Sequence, residues 1–304
     1  MKLAVTPTVG LALAAATAGI SGVAVFVNGL VVASFPDPVA LAGVRNGLVG
    51  LALLSMAGLP SLLREVAGLD LRQRLSLVSL GVVGGGIPFI LFFSGLAATG
   101  GPGAAVLHKT MFLWVALLAV PLLGERVGRF QVAALGLLAA GVLLAGPAPA
   151  VGVGPAAALV LAATWLWAVE VIVARRVLRS VTVRVAAISR MTIGSAVILG
   201  WLGATGGLGA VAAFGVDQWL LVGATGALLL GYVVTWYAAL RRAPATSVSA
   251  VLVGGAVVTA GLAAIRTGAL PAGPVVAGLA IIALGVIGVW VAGRRSQTTA
   301  REPA

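Results

Sequence analysis

From Leu3 to Pro36 the chain carries no ionisable side chain, and the pattern recurs to its end: apolar runs set apart by short clusters of arginine, proline and glycine. A run of about 20 apolar residues, at 1.5 Å rise each, matches the roughly 30 Å hydrocarbon core of a bilayer. Ten such spans are predicted, over 9–33, 39–59, 75–97, 104–123, 130–146, 155–174, 184–203, 218–240, 245–265 and 271–292. Proline supports the cuts, because it suits a helix end and disrupts an interior. Pro36, Pro38, Pro60, Pro102, Pro147, Pro149, Pro155, Pro244 and Pro271 all fall at proposed boundaries.

Composition narrows the alternatives. Charged residues make up 9% of the chain and hydrophobic ones 61%; a soluble domain needs about 25% charge to solvate its surface. The net charge of +12 is scattered between apolar runs rather than gathered in a stripe, so no nucleic-acid partner is indicated. There is no cysteine, which removes disulfides, thiolate metal sites and thiol catalysis. No metal or cofactor is expected. The first run lacks a small-residue cleavage site and reads as an uncleaved span.

Basic residues set the orientation, because they concentrate in cytoplasmic loops. With the N-terminus inside, the inside segments hold Lys2, Arg64, Arg72, Arg74, Arg126, Arg129, Arg175, Arg176, Arg179, Arg184, Arg241, Arg242, Arg294, Arg295 and Arg301. The outside segments hold Arg266 alone, and Arg45, Lys109 and Arg190 fall within spans. Both termini are therefore expected in the cytoplasm, with the chain crossing a plasma or inner membrane.

Laying 116–142 on 260–286 without a gap aligns Gly124 with Gly268 and Gly141-Val142 with Gly285-Val286. The expected fold is all-α and integral to the membrane: ten transmembrane helices in two five-helix repeats, 1–148 and 149–296, followed by a tail, 297–304. An odd helix number inverts the second repeat, the plan of many secondary transporters, whose substrate site lies between the repeats near the midplane.

The sequence resembles the drug/metabolite transporter superfamily, in its EamA branch of ten-helix carriers. The resemblance rests on VALLAVPLLGERVGRFQVAALGLLAAGVLL at 115–144, similar to that family's fourth and fifth helices joined at a Gly-Glu turn. PDPVALAGVR at 36–45 and TWLWAVEVIVARR at 164–176 add to it. It implies a carrier of amino acids or other small metabolites, often outward. The chain departs from the pattern at Met111, where proline is common, and at Gly255 and Ala269 in the second repeat.

Ionisable groups inside a bilayer are costly, so each is a candidate site. Asn28, Arg45, His108 and Lys109 are predicted to line one outward-opening cavity and offer donors to an anionic group; snorkelling of Arg45 and Lys109 to headgroups is the structural alternative. Glu170 and Arg190 are expected as a buried pair that holds two helices together, with Glu170 or His108 as proton-coupling candidates. Glu125, before a helix start, is expected to favour that helix's N-terminus, with Arg126 or Arg129 beside it. Gly85 and Pro88 should interrupt the third span, either freeing backbone groups for a ligand or allowing close packing. Trp114, Trp165 and Trp167 lie deep enough to contact substrate. Trp201, Trp219, Trp236, Trp290 and Tyr237 read as interface belts. The competing classes are an intramembrane enzyme, for which no His-Glu-x-x-His, paired aspartates or Ser/Lys dyad is present, and a passive channel or scramblase.

Overall fold

The computed structural model describes residues 7–146 and 154–298, and the regular structure among them is entirely helical. The proposed divide at 148/149, Pro147, Pro149, Lys2, Arg301 and the end of the tail lie outside the described residues. The helices are α1 (Pro7–Val31), α2 (Pro38–Ala57), α3 (Leu59–Ala67), α4 (Leu71–Leu80), α5 (Ile87–Lys109), α6 (Met111–Leu123) and α7 (Arg129–Ala145). They continue as α8 (Pro155–Val177), α9 (Val183–Thr205), α10 (Leu208–Ala212), α11 (Val216–Arg242), α12 (Ala245–Leu252), α13 (Gly255–Thr267) and α14 (Gly273–Thr298).

Among the described residues, nine segments are long and apolar enough to cross a membrane, and α7 is a shorter apolar helix of 17 residues. Large side chains such as Leu51, Leu117, Phe130, Leu143 and Leu284 stand exposed on the outside of the bundle, as a lipid-facing surface requires.

Helix starts follow local chemistry. The Asp37 carboxylate accepts from the Val39 N–H at 2.7 Å, with Pro38 in the first turn of α2. Asp70 and Gln73 form a reciprocal capping box on α4. The prediction missed the short helices α3 and α10, which are too brief to register as spans. It also expected a loop near 97–104, with Pro102 at its boundary, whereas the backbone is helical from Ile87 to Lys109. The chain doubles back within that stretch all the same. The rings of Phe92 and His108 lie 5.5 Å apart, where a straight helix would hold them about 24 Å apart.

Small residues bring the helices together, as they must where lipid offers no hydrophobic gain on association. α2 lies on α9, with Gly47 facing Ser195 and Gly50 facing Thr192. α7 lies on α14, with Gly141 facing Ile282 and Gly285 facing Leu138. A register one residue longer than that of 116–142 on 260–286, which lays Arg45 on Arg190, exchanges the first pair of contacts. The register that lays Gly124 on Gly268 exchanges the second. Those two glycines end α6 and α13 in the left-handed region, at φ 69° and 67°, where a side chain would be strained.

Outside the spans, Glu65 on α3 accepts from the Thr182 N–H at 3.3 Å and forms an ion pair with Arg184 at 2.9 Å. Burial pushes its carboxyl up, but the Thr182 and Arg184 donors outweigh this and hold it below its ordinary 4.5. A carboxyl lowered by folding stabilises the fold above its unfolded pKa and loses that contribution as pH falls through the folded value. Glu65→Gln is therefore expected to lower stability at pH 7 by under about 1 kcal/mol, the pair being half-exposed. Thermal melting should show the gap to the parent closing below pH 4.5.

Candidate functional site

α5 owes its start to Pro88. Proline has no N–H to offer the Gly84 carbonyl four residues earlier, and the backbone over Gly81–Gly86 winds as a π-helix. The freed carbonyls are taken by side chains: Trp167 Nε1 donates to Gly84 at 3.1 Å and Asn46 Nδ2 to Gly85 at 3.1 Å. Gly85 packs directly on Gly194 and the Arg190 backbone of α9. Of the two roles expected for this segment, the geometry serves close packing. Pro88 is buried and lines neither cavity described next.

Two adjoining cavities lie inside the bundle. The larger, about 800 Å³, runs from the end of the bundle where α1 passes to α2, between Phe35, Pro38, Phe92, Phe93 and Phe112. The smaller, about 170 Å³, lies deeper, between Arg45, Phe89, Trp167, Glu170, Arg190, Thr225, Tyr232 and Trp236. Ser21, Val25, Asn28, His108, Met111 and Leu252 wall both.

Two broken helices meet at the larger cavity. α5 gives way to α6 at Thr110, and α12 to α13 at Val253-Gly254, positions that coincide when the alignment of 116–142 on 260–286 is extended. His108 and Lys109 at the first break and Leu252 and Val253 at the second all line the wall. Lys109, half-buried, reaches the larger cavity only, whereas Arg45 reaches only the smaller one. The four polar residues expected in one cavity are therefore divided between two that share a wall. Arg45 does not snorkel: it is 4% exposed and donates from Nη1 to Asn28 Oδ1 at 3.1 Å.

Glu170 and Arg190 are both buried, with Arg190 Nε 3.6 Å from Glu170 Oε1. The expected ion pair is present, but it leaves donors of Arg190 without a hydrogen bond. The short bond to Glu170 Oε1 comes from Tyr237, whose hydroxyl donates at 2.6 Å, while Arg190 Nε and Nη1 have no hydrogen-bond partner. The Arg190 guanidinium instead stands 5.9 Å from the Phe89 ring, within reach of a cation–π attraction.

The tryptophans divide. Trp167 sits against His108, ring centroids 4.7 Å apart, and lines the small cavity. Trp165, two residues away on the opposite helix face, is 46% exposed and turned outward. Trp114 packs at the core margin and lines neither cavity. Trp201 and Trp219 are exposed and Trp290 half-buried. Trp236 and Tyr237 are no interface belt: both are buried, and Trp236 stacks on Tyr232 in the small cavity wall. A signal for this wall was available. Thr225, Leu229, Tyr232 and Trp236 follow helical spacing on α11 and form one inward stripe.

The opposite end of the bundle is closed by hydrogen bonds between helix ends. Glu125 accepts from the Ala245 and Thr246 N–H groups at 2.6 and 3.0 Å, capping α12 rather than the expected adjacent α7. Gln131 donates to the Thr246 and Ser247 hydroxyls. Arg175 donates to the Leu240 and Arg241 carbonyls at 2.6 and 3.1 Å, and Arg176 to Leu122 at 2.7 Å. Glu125→Ala removes a charge-assisted cap and leaves two N–H groups unpaired. It is expected to raise thiol labelling of a Ser247→Cys reporter about tenfold or more; with no native cysteine, that reporter is read without background.

Apolar helices around a cavity that enters from one end and stops short of the other define a multi-pass membrane protein. Residues 8–146, a little under half of the chain, match the EamA-like transporter family. A solved structure titled only "Crystal structure of protein" superposes with a TM-score of 0.68 at 18% identity, covering 92% of this chain and 98% of its own. That likeness is one of fold. No curated protein matches the sequence.

Proposed function

We propose that the protein is a secondary carrier of a small organic metabolite, an amino acid or related compound, working by alternating access between two inverted five-helix repeats, 1–148 and 149–296. The observation that carries this reading is the cavity itself: it is entered at one end of the bundle and latched at the other by Glu125, Arg175 and Arg176. A continuous pore would need neither the latch nor the blind end.

Several features support the repeat. The packing contacts exchange under two registers one residue apart, and both helix breaks fall on the cavity wall, where carriers place their binding sites. α7 is taken as the tenth span because it packs against α14 through glycines on both helices. Its 17 residues cover about 26 Å, a mismatch that a bilayer absorbs by thinning. The arginine distribution supports a cytoplasmic latched end, and with it a molecule that stands open outward with both termini inside. Export is the direction that the family resemblance favours, and proton exchange at Glu170 or His108 is the proposed drive.

Reconstitution in proteoliposomes tests the reading. Concentrative, pH-gradient-driven movement of a metabolite is expected, and the Arg45→Gln/Lys109→Gln double variant should fold normally yet lose it. Unchanged uptake by that variant refutes the role of the two cations. Flux that never exceeds equilibration would mark a channel, and product formed in detergent an enzyme.

A further inference from the structure

We propose that the smaller cavity is a headgroup site for a substrate bearing a single negative charge, a carboxylate, whose apolar body extends into the larger cavity. This rests on the carrier reading and narrows its substrate from amino acids and related compounds to carboxylic acids that lack a cationic amine.

The argument begins with charge. Arg45 on α2 and Arg190 on α9, one residue out of step under the repeat register, both line the smaller cavity and are 4% and 5% exposed. Only one carboxylate, Glu170, stands with them; where Arg190 has Glu170, Arg45 has the neutral Asn28. Two guanidinium groups against one carboxylate leave one positive charge uncompensated, in surroundings where isolated charge is costly. One monoanion neutralises this buried group, Lys109 standing apart on the wall of the larger cavity. A second negative charge in the headgroup meets Glu170, and a cation adds to the excess.

Hydrogen bonding points the same way. Arg45 Nε, Arg190 Nε and Arg190 Nη1 are buried donors with no partner, and such donors recur in proteins where a ligand supplies the acceptor. Guanidinium groups match the two oxygens of a carboxylate. The space of about 170 Å³ suits a compact headgroup, and the 800 Å³ vestibule is walled by Val25, Phe92, Phe93, Leu96 and Phe112. A pocket mainly of hydrocarbon with a few convergent polar groups at its base selects an apolar body with a charged end.

The test uses purified full-length protein in detergent, with 3-phenylpropionate as ligand and tryptophan fluorescence, to which Trp167 and Trp236 contribute, as readout. Saturable binding is expected, with 3-phenylpropylamine and the dianion benzylmalonate each at least tenfold weaker. Arg45→Gln and Arg190→Gln should each weaken the acid about tenfold or more. The comparison of ligands on the parent protein stands even where a variant fails to fold. Equal binding of amine and acid, preference for the dianion, at least tenfold preference for the zwitterion L-phenylalanine, or no binding of the acid overturns the proposal. Binding of the acid without its counterflow in proteoliposomes would keep the headgroup site and overturn the carrier reading. Counterflow of another solute with no binding of the acid would do the reverse.

Discussion

Gly85→Val is expected to abolish the folded protein. A Cβ at Gly85 runs into the Arg190 carbonyl and the Gly194 Cα, which are backbone atoms of the facing helix and cannot rotate away. Overpacking against mobile side chains costs about 1–3 kcal/mol; here α9 itself would have to move. Such a shift would break the bonds from Asn46 to Gly85 and from Trp167 to Gly84 and displace Arg190 from the small cavity. Loss of the monodisperse peak on size exclusion checks this. Gly19→Ala is the control: a Cβ there meets nothing within 4 Å, so the variant should elute and melt like the parent. A well-folded Gly85→Val protein would show that α4–α5 and α9 are not held backbone to backbone.

The second large effect concerns the buried charges. Glu170→Gln leaves Arg190 without the one anion beside it among the described residues, and removing one partner of a buried pair costs about 3–5 kcal/mol. Arg190→Met strands the Glu170 carboxylate by the same logic, although the Tyr237 hydroxyl still bonds it. The double variant Glu170→Gln/Arg190→Met removes both charges and should lose markedly less than the two single losses combined. Melting followed by tryptophan fluorescence gives the cycle. Strict additivity would mean that the two groups do not sense each other across their 3.6 Å separation.

Much of this architecture was legible because bilayer physics leaves few options. Spans must be apolar and helical, so their positions follow from where charge and proline interrupt the sequence. The charged members of the site were legible for the converse reason: Arg45, Glu170 and Arg190 stand out in a span because their presence there is costly. Facing was harder to read. With Ala, Leu, Val and Gly on nearly every side of each helix, nothing in the sequence separates Trp165, which turns outward, from Trp167, which turns in. Trp236 and Tyr237 were misread because uncharged aromatics near a span end look like interface anchors, and Tyr232 carried no charge to mark it. The Gly81–Gly86 segment announced a helix break, yet that Trp167 and Asn46 would claim its carbonyls depends on α8 and α2, distant in the chain. Glu125 was misassigned for the same reason, since its partner helix begins more than a hundred residues later.

The Glu125 clasp bears on how such a machine would spend its time. In the repeat register, the place of Glu125 is taken by Ala269, which has no acceptor side chain to offer a facing helix. A shuttle clasped more firmly at one door than at the other would idle with that door shut, and Glu125, with Arg175 and Arg176, would set that bias. Tuning the strength of one hydrogen-bonded cap would then alter the direction in which cargo is most readily loaded, without touching the chamber that recognises it.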